Sequence, residues 1–181
     1  MMFNMVTLDG FFAGPNGEID WHTVDEAFDR FAVDQLDSAG GLLFGRVTYQ
    51  MMASYWPTPE AIAADPRVAD RMNALPKIVF STTLAQAGWN NSRLEKEVDA
   101  AEISKLKQQP GKDLLVFGSA DLAGTLIQLG LIDEIRMMVS PVVLGRGIPL
   151  FKSRRDPLQL IMLDTRTFPN GNVYLSYRPV Q

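Results

Sequence analysis

A continuous apolar run from Leu114 to Phe117 is followed by a small-residue turn, then by Leu122, Leu126 and Leu129 at helical spacing, then by alternation through Ile135, Met137 and Val139. That order predicts strand, helix, strand, with the first strand buried on both faces. The figure recurs upstream. Leu42-Leu43-Phe44 reads as an interior strand ended by Gly45-Arg46, after which Val47, Met51 and Tyr55 mark a helix that closes before Trp56-Pro57. Lys77 to Phe80 is a third buried strand. Beyond Trp89-Asn90-Asn91 a charged segment carries Ile103 and Leu106 on one face, with Asp99 as its candidate cap and Pro110-Gly111 as its stop.

Phe3 to Leu8 reads as a strand feeding a loop at Gly14-Pro15-Asn16-Gly17. From Asp25 the pattern predicts a helix with Phe28, Phe31 and Leu36 inward, stopped by Gly40-Gly41. Thr58 to Leu75 is polar and Pro-interrupted, with a helix around Val68 to Asn73, either a wall over a site or a solvated connector. Near the carboxyl end, Leu158, Leu160 and Met162 alternate, Pro169-Asn170-Gly171 turns, and Val173, Leu175 and Tyr177 alternate again. The expected fold is α/β: one domain over residues 1–181, a mostly parallel central sheet with helices on both faces, and an antiparallel carboxyl-terminal hairpin.

Charge changes this picture by exclusion. The net charge of -4 offers no basic surface for a phosphate backbone, so nucleic acid and anionic membranes are disfavoured and a small molecule is the expected partner. There are no cysteines and only one histidine, His22, so thiolate and multi-histidine metal sites and a cysteine nucleophile are ruled out, and no metal is expected. No basic leader precedes Asp9 and no apolar run approaches the ~18 residues a membrane span needs, so a cytoplasmic protein is expected.

The candidate chemistry sits where strands end. Gly118 lets backbone approach closely, Ser119 or Asp121 can cap the following helix, and the exposed N–H groups there can receive an anion such as a pyrophosphate. The spacing is not that of a G-x-G-x-x-G fingerprint, and any αβ crossover has a similar turn. Ser81, Thr82 and Thr83 follow the third strand, where hydroxyls can bind a ribose or phosphate, or cap a turn. His22, beside Trp21, is either a proton donor or a packing group.

Four ordered pieces carry a resemblance: Leu8-Asp-Gly-Phe-Phe-Ala13, Gly45-Arg-Val-Thr-Tyr49, Ile78-Val-Phe-Ser-Thr-Thr-Leu84, and Phe117-Gly-Ser-Ala-Asp-Leu122 continuing to Leu144-Gly-Arg-Gly147. Together they resemble the dihydrofolate-reductase-like family, specifically the carboxyl-terminal reductase domain of riboflavin biosynthesis enzymes and its stand-alone bacterial relatives. The resemblance implies an oxidoreductase that uses NADPH and acts as a homodimer. It implies Gly45, Arg46 and Thr48 at the phosphates, Ser81 and Thr82 at the adenosine ribose and its 2′-phosphate, and Gly118, Ser119, Ala120 and Leu122 under the pyrophosphate. The nicotinamide would lie near Leu8, Asp9, Phe12 and Ala13.

In the family's folate reducers an acidic residue on the helix after the first loop holds the pterin; Asp25, Glu26 and Asp29 occupy that neighbourhood. With Asp9 and His22 they complete the catalytic candidates. Those reducers also keep an arginine before the third strand, where this chain has Leu75-Pro76-Lys77, so folate is disfavoured. The riboflavin branch implies a ribosylaminopyrimidine phosphate, as for 5-amino-6-(5-phosphoribosylamino)uracil reductase, with Arg67, Arg71 or Arg146 as candidate phosphate groups. The fused deaminase's H-x-E…P-C-x-x-C pattern is absent, so the substrate need not be shared. A non-catalytic nucleotide-binding or interaction module on the same fold is the alternative.

Overall fold

A computed structural model describes residues 1–151 and 156–180. Its ten strands are β1 (Met2–Thr7), β2 (Phe11–Ala13), β3 (Ala39–Gly45), β4 (Lys77–Phe80), β5 (Ser92–Glu95), β6 (Asp113–Phe117), β7 (Ile135–Ser140), β8 (Ile148–Pro149), β9 (Leu160–Thr167) and β10 (Val173–Pro179). The helices are α1 (Glu26–Asp37), α2 (Arg46–Tyr55), α3 (Pro59–Ala64), α4 (Pro66–Ala74), α5 (Ala100–Lys107) and α6 (Ala120–Gln128). Eight strands form one sheet in the order β5-β4-β3-β6-β1-β7-β10-β9. The six from β5 to β7 are parallel, and β10 and β9 close one side antiparallel, as the mixed pattern predicted.

Because both faces of the parallel strands are covered, successive residues alternate between two cores rather than between core and water. Phe3, Met5, Leu42, Phe44 and Leu115 pack with α1, α2 and α4. Met2, Val6, Leu43 and Val116 pack with α5 and α6 on the other face. Phe44 and Leu115 are 0 % exposed, and truncating either to alanine costs about 2 to 5 kcal/mol.

Several short elements departed from expectation. Gly40-Gly41 does not stop α1, which ends at Asp37 with Ser38 as its cap. Both glycines lie in β3, where a Cβ on Gly40 would stand 2.9 Å from the Lys112 carbonyl oxygen. The glycine pair records a close backbone approach, not a helix terminus. β5, which lies in the charged segment before Asp99 and was not expected as a strand, has a single apolar residue, Leu94, in four, as an edge strand allows. β2 and β8 form a short ladder that the hydrophobic pattern did not announce. α3 is a six-residue turn capped by Thr58, below the length that periodicity detects.

The edge where the parallel strands begin is closed by hydrogen bonds. The Met1 ammonium donates to the Leu114 carbonyl at 2.9 Å. Arg136 grips Glu134 with Nε and Nη2 at 2.7 and 3.0 Å and donates from Nη1 to Gln35 of α1, while the Ser176 hydroxyl also donates to Glu134. Lys77, 1 % exposed, donates to the carbonyls of Asn73, Leu75 and Asn90 and lies 4.3 Å from the Trp89 ring centroid. Burial pushes its pKa down to about 8; three carbonyl acceptors and an aromatic face favour the charged form against that.

Candidate functional site

At the opposite edge, where the parallel strands end, two helix-starting turns are clasped together. Gly118 and Ser119 both adopt left-handed backbone, φ 70° and 59°. This aims the Ser119 hydroxyl at the other turn, where it accepts from the Gly45 amide at 2.8 Å, and aims the Ser119 amide at Thr48 Oγ1, 3.0 Å away. A Cβ on Gly118 would meet the Thr48 methyl at 2.8 Å, so only glycine fits. Ser119 does occupy the cap position of α6, but its hydroxyl is committed to Gly45. Neither α2 nor α6 has a side-chain cap. Two adjacent helix starts thus keep leading N–H groups without a side-chain cap, and α2 has no acidic residue in its first turn while α6 has Asp121; free N–H groups at a helix start suit an anion.

Around the clasp the remaining expected residues fall into two sets. Arg46 and Thr82 are exposed, Arg46 reaching along α2 to Gln50 Oε1 at 3.0 Å. Gly45 and Phe80 are register partners, so Arg46 and Ser81 start from neighbouring strand ends. The Ser81 hydroxyl accepts from the amides of Thr83 and Leu84, the turn-capping alternative. Ala120 and Leu122 are buried in the α6-side core. They support the turn from beneath.

At the end of β1, Leu8 is 68 % exposed, Ala13 is buried, and Phe12 packs partly on the α6-side core. Asp9 accepts from Thr7 Oγ1 at 2.6 Å and from the amides of Leu144 and Gly145 at 3.3 and 2.8 Å. The Thr7 hydrogen bond, with those amides, holds its carboxyl below the usual range. With Leu8 donating to Val142, Leu150 to Gly10, and β2 paired to β8, Asp9 stitches two loops into one wall. It is held as a carboxylate and is no proton donor at neutral pH.

The other acid candidates separate clearly. Asp25 caps α1 by accepting from Phe28, and Glu26 pairs with Arg30 in an exposed i,i+4 contact. Asp29 alone has its pKa raised, by burial first and then by the neighbouring Asp65 carboxylate. His22 stands edge-on to Trp21, 4.4 Å between centroids, and its buried Nε2 has no partner among the described residues. Burial pushes its pKa down to about 4, so the ring is neutral at pH 7. Of the candidate phosphate cations, Arg71 is held bidentate by Asp37, while Arg67 and Arg146 are exposed. Among the described residues no group of three His, Asp or Glu is placed to hold a metal.

Three residues that the sequence reading passed over belong to this edge: Thr7, Ser140 and Asn172, all 0 to 1 % exposed. The available signal was a hydroxyl closing each of two neighbouring strands, Thr7 at the end of β1 and Ser140 at the end of β7; Asn172, just before β10, gave none. Recesses at the amino edge, one beside Met1 and Leu131 and another beside Gly41 and Pro110, lie across the sheet from these groups.

The sheet order, the paired helix starts and the appended hairpin define a dihydrofolate-reductase-like α/β protein. Residues 1–174 match the model of the RibD C-terminal domain, and the chain belongs to that family. It is 38 % identical over 172 residues to protein YyaP of Bacillus subtilis (strain 168), covering 95 % of this chain and 90 % of that one. A Shewanella sp. PV-4 protein assigned to riboflavin biosynthesis superposes with TM-score 0.75 at 23 % identity, over 99 % of this chain and 98 % of that one. Dihydrofolate reductase from Enterococcus faecalis, solved with NADP(H), superposes with TM-score 0.62 at 13 % identity, over 99 % and 95 %. At these identities the two structures establish the fold.

Proposed function

We propose that this protein is an NADPH-dependent reductase of a small heterocyclic or ribosylaminopyrimidine substrate, similar to 5-amino-6-(5-phosphoribosylamino)uracil reductase. The observation that carries this reading is the clasp, Gly45 N–H to Ser119 Oγ and Ser119 N–H to Thr48 Oγ1, which leaves two uncapped helix starts side by side. A dinucleotide pyrophosphate fits that pair. Gly45, Arg46, Thr48, Gly118 and Ser119 would hold the phosphates, with Ala120 and Leu122 supporting the turn from the core. Ser81 and Thr82 would border the adenosine ribose. Leu8, Phe12 and Ala13 would flank the nicotinamide, whose chemistry is hydride delivery in a dry, fixed geometry.

Asp29 is the acid we assign to the substrate side, because Asp25 caps α1 and Glu26 pairs with Arg30, and burial, then the Asp65 carboxylate, raise the Asp29 pKa above its usual value. Folate is disfavoured: Lys77, at the position nearest the missing tail-binding arginine, is buried with its ammonium taken by three carbonyls. Within residues 1–181 acting as one domain, Val143, Ile148 and Phe151 expose apolar surface. We assign that surface to a homodimer, for which sedimentation at micromolar concentration is expected to show twice the chain mass. Among the described residues no helix is long and apolar enough to cross a membrane, and a cytoplasmic setting follows from the proposed use of NADPH.

Tryptophan fluorescence during NADPH titration, followed by NADPH oxidation over pyrimidine, pterin and dihydrofolate substrates, tests the reading. Saturable NADPH binding and oxidation with a pyrimidine are expected. Binding without oxidation by any substrate would favour a nucleotide-binding module, and no binding would overturn the reading.

A further inference from the structure

One strand across from the proposed nicotinamide end, three buried polar atoms lack hydrogen-bond partners among the described residues: Ser140 Oγ, Asn172 Oδ1 and His22 Nε2. The strand register brings the first two together. Thr7 pairs with Ser140 across β1 and β7, and Val139 pairs with Val173 across β7 and β10, so Asn172 stands opposite Ser140. A Cβ on Gly171 would lie 3.1 Å from Pro141 Cγ, so the two chains stay close at this point. Ser140 shares strand parity with Met138, and Asn172 with Tyr174, both in the core beneath α1. Both polar groups therefore face the α1 side.

His22 arrives through the chain segment that covers them. Asn172 Nδ2 donates to the Thr23 carbonyl at 2.7 Å, and Asn170 Nδ2 reaches the same oxygen at 3.4 Å. Residues 21–24 thus form a strap tied to the hairpin by two side-chain amides and not by a strand ladder, with Trp21 packed on the core as its other anchor. Leaving a buried polar group unpaired costs about 1 to 3 kcal/mol; here two stand opposite each other and the third is on the residue next to Thr23, which Asn172 holds.

We propose that Ser140, Asn172 and His22 form a recognition recess for the N–H edge of the substrate ring, opened when the 21–24 strap swings away from the hairpin. The proposal rests on the reductase reading for the neighbouring hydride donor, and it narrows the substrate class. Asn172 Nδ2 donates to Thr23 and its Oδ1 is the atom left without a partner among the described residues, so the ligand must bring a donor to that oxygen. Ser140 donates or accepts. A neutral His22 offers Nε2 as either, according to tautomer. A ring amide, with N–H beside C=O, satisfies all three. A phosphate dianion does not, because it has no donor for Asn172 Oδ1 and no cation is among these three groups. The phosphate or other tail, if the substrate has one, points elsewhere.

The probes are 5,6-diaminouracil and its 1,3-dimethyl derivative, which lacks ring N–H, titrated calorimetrically with and without NADPH into the unmodified protein and Ser140→Ala. Methylation is expected to weaken binding at least tenfold, the worth of about one lost hydrogen bond with a buried acceptor left unpaired. Ser140→Ala is expected to weaken the parent probe about tenfold and the dimethyl probe little, with NADPH affinity and melting temperature held or the latter raised. Equal binding of the two probes, or binding of neither, overturns the recess. So does Ser140→Ala lowering the melting temperature without changing probe affinity, since the hydroxyl would then be paired within the folded protein. Failure of the unmodified protein to bind NADPH sinks the reductase reading separately, since the probe titrations without cofactor still report on the recess.

Discussion

At the amino edge of the sheet nearly every stray charge has been given a partner: the Met1 ammonium a carbonyl, Arg136 a carboxylate and an amide oxygen, Lys77 three carbonyls. At the carboxyl edge the opposite has happened, with two helices uncapped, Ser119 held left-handed, and Ser140, Asn172 and His22 left with unpaired atoms. The same strands run between the two. The difference teaches where a parallel sheet keeps its stability and where it keeps its reactivity. Strand beginnings tolerate nearly full pairing, with the Ser92 hydroxyl at the start of β5 an exception among the described residues, whereas strand ends carry helix starts whose donors are useful only while unpaired.

The largest expected effect comes from breaking the paired edge. Glu134→Ala leaves the Arg136 guanidinium, 16 % exposed, and the Ser176 hydroxyl without their acceptor. A loss of about 3 kcal/mol in urea unfolding is expected. NADPH affinity of the folded protein should stay within about twofold, since the two edges share no hydrogen bond and distant sites act independently. A comparable loss of cofactor affinity would mean that the edges are coupled.

Next in size is Gly118→Ala. A left-handed alanine costs about 1 kcal/mol, and its Cβ meets the Thr48 methyl at 2.8 Å. Together we expect a loss of about 2 kcal/mol and NADPH binding weakened at least tenfold as the clasp opens. Adding Thr48→Ser, which removes the methyl but keeps the hydroxyl, should recover part of both. No recovery in the double variant would show that backbone strain, and not the methyl contact, sets the cost.

The contrast between the edges also marks how much of the molecule the sequence revealed. Leu42 to Phe44, Ile78 to Phe80 and Leu114 to Phe117 announced buried parallel strands because all their positions are apolar, and the hairpin announced itself by alternation around Pro169-Asn170-Gly171. β5 did not, since an edge strand that pairs on one side needs little apolar surface. Gly45 and Gly118 were legible as turn residues, but their clasp through Ser119 joins positions 74 and 71 residues apart, which no local pattern encodes. Asp9 was a candidate only through the resemblance that puts it beside the nicotinamide, and its clip to Leu144 and Gly145 was not legible because those partners lie far along the chain. Ser140 and Asn172 stayed invisible for the same reason: register makes them neighbours.

A third test sharpens the role of the open edge. If Arg46 turns from Gln50 to the 2′-phosphate that separates NADPH from NADH, Arg46→Ala should raise the NADPH dissociation constant by roughly ten- to a hundred-fold. NADH affinity should change much less. Equal losses for both cofactors would place the guanidinium at the shared pyrophosphate instead.

The smallest expected effect is a pH dependence at the open edge. Burial holds His22 at about 4 in the folded protein, against roughly 6.5 in an unfolded chain. Between those values the unfolded state binds a proton that the folded state refuses. Stability therefore falls as pH drops from about 6.5 to 4 and is unaffected by this group above that window. Because solvent reaches part of the ring, the loss should be about 1 to 2 kcal/mol, less than the full pKa gap implies. His22→Gln removes the titrating group and should flatten the urea-unfolding free energy across the window relative to the unmodified protein. Carboxylates such as Asp9, held low by Thr7, lose their contributions at still lower pH and should do so equally in both proteins. An unchanged slope between pH 6.5 and 4.5 in His22→Gln would show that the ring is not sealed by the strap, and would place the strap open over the recess before any ligand arrives.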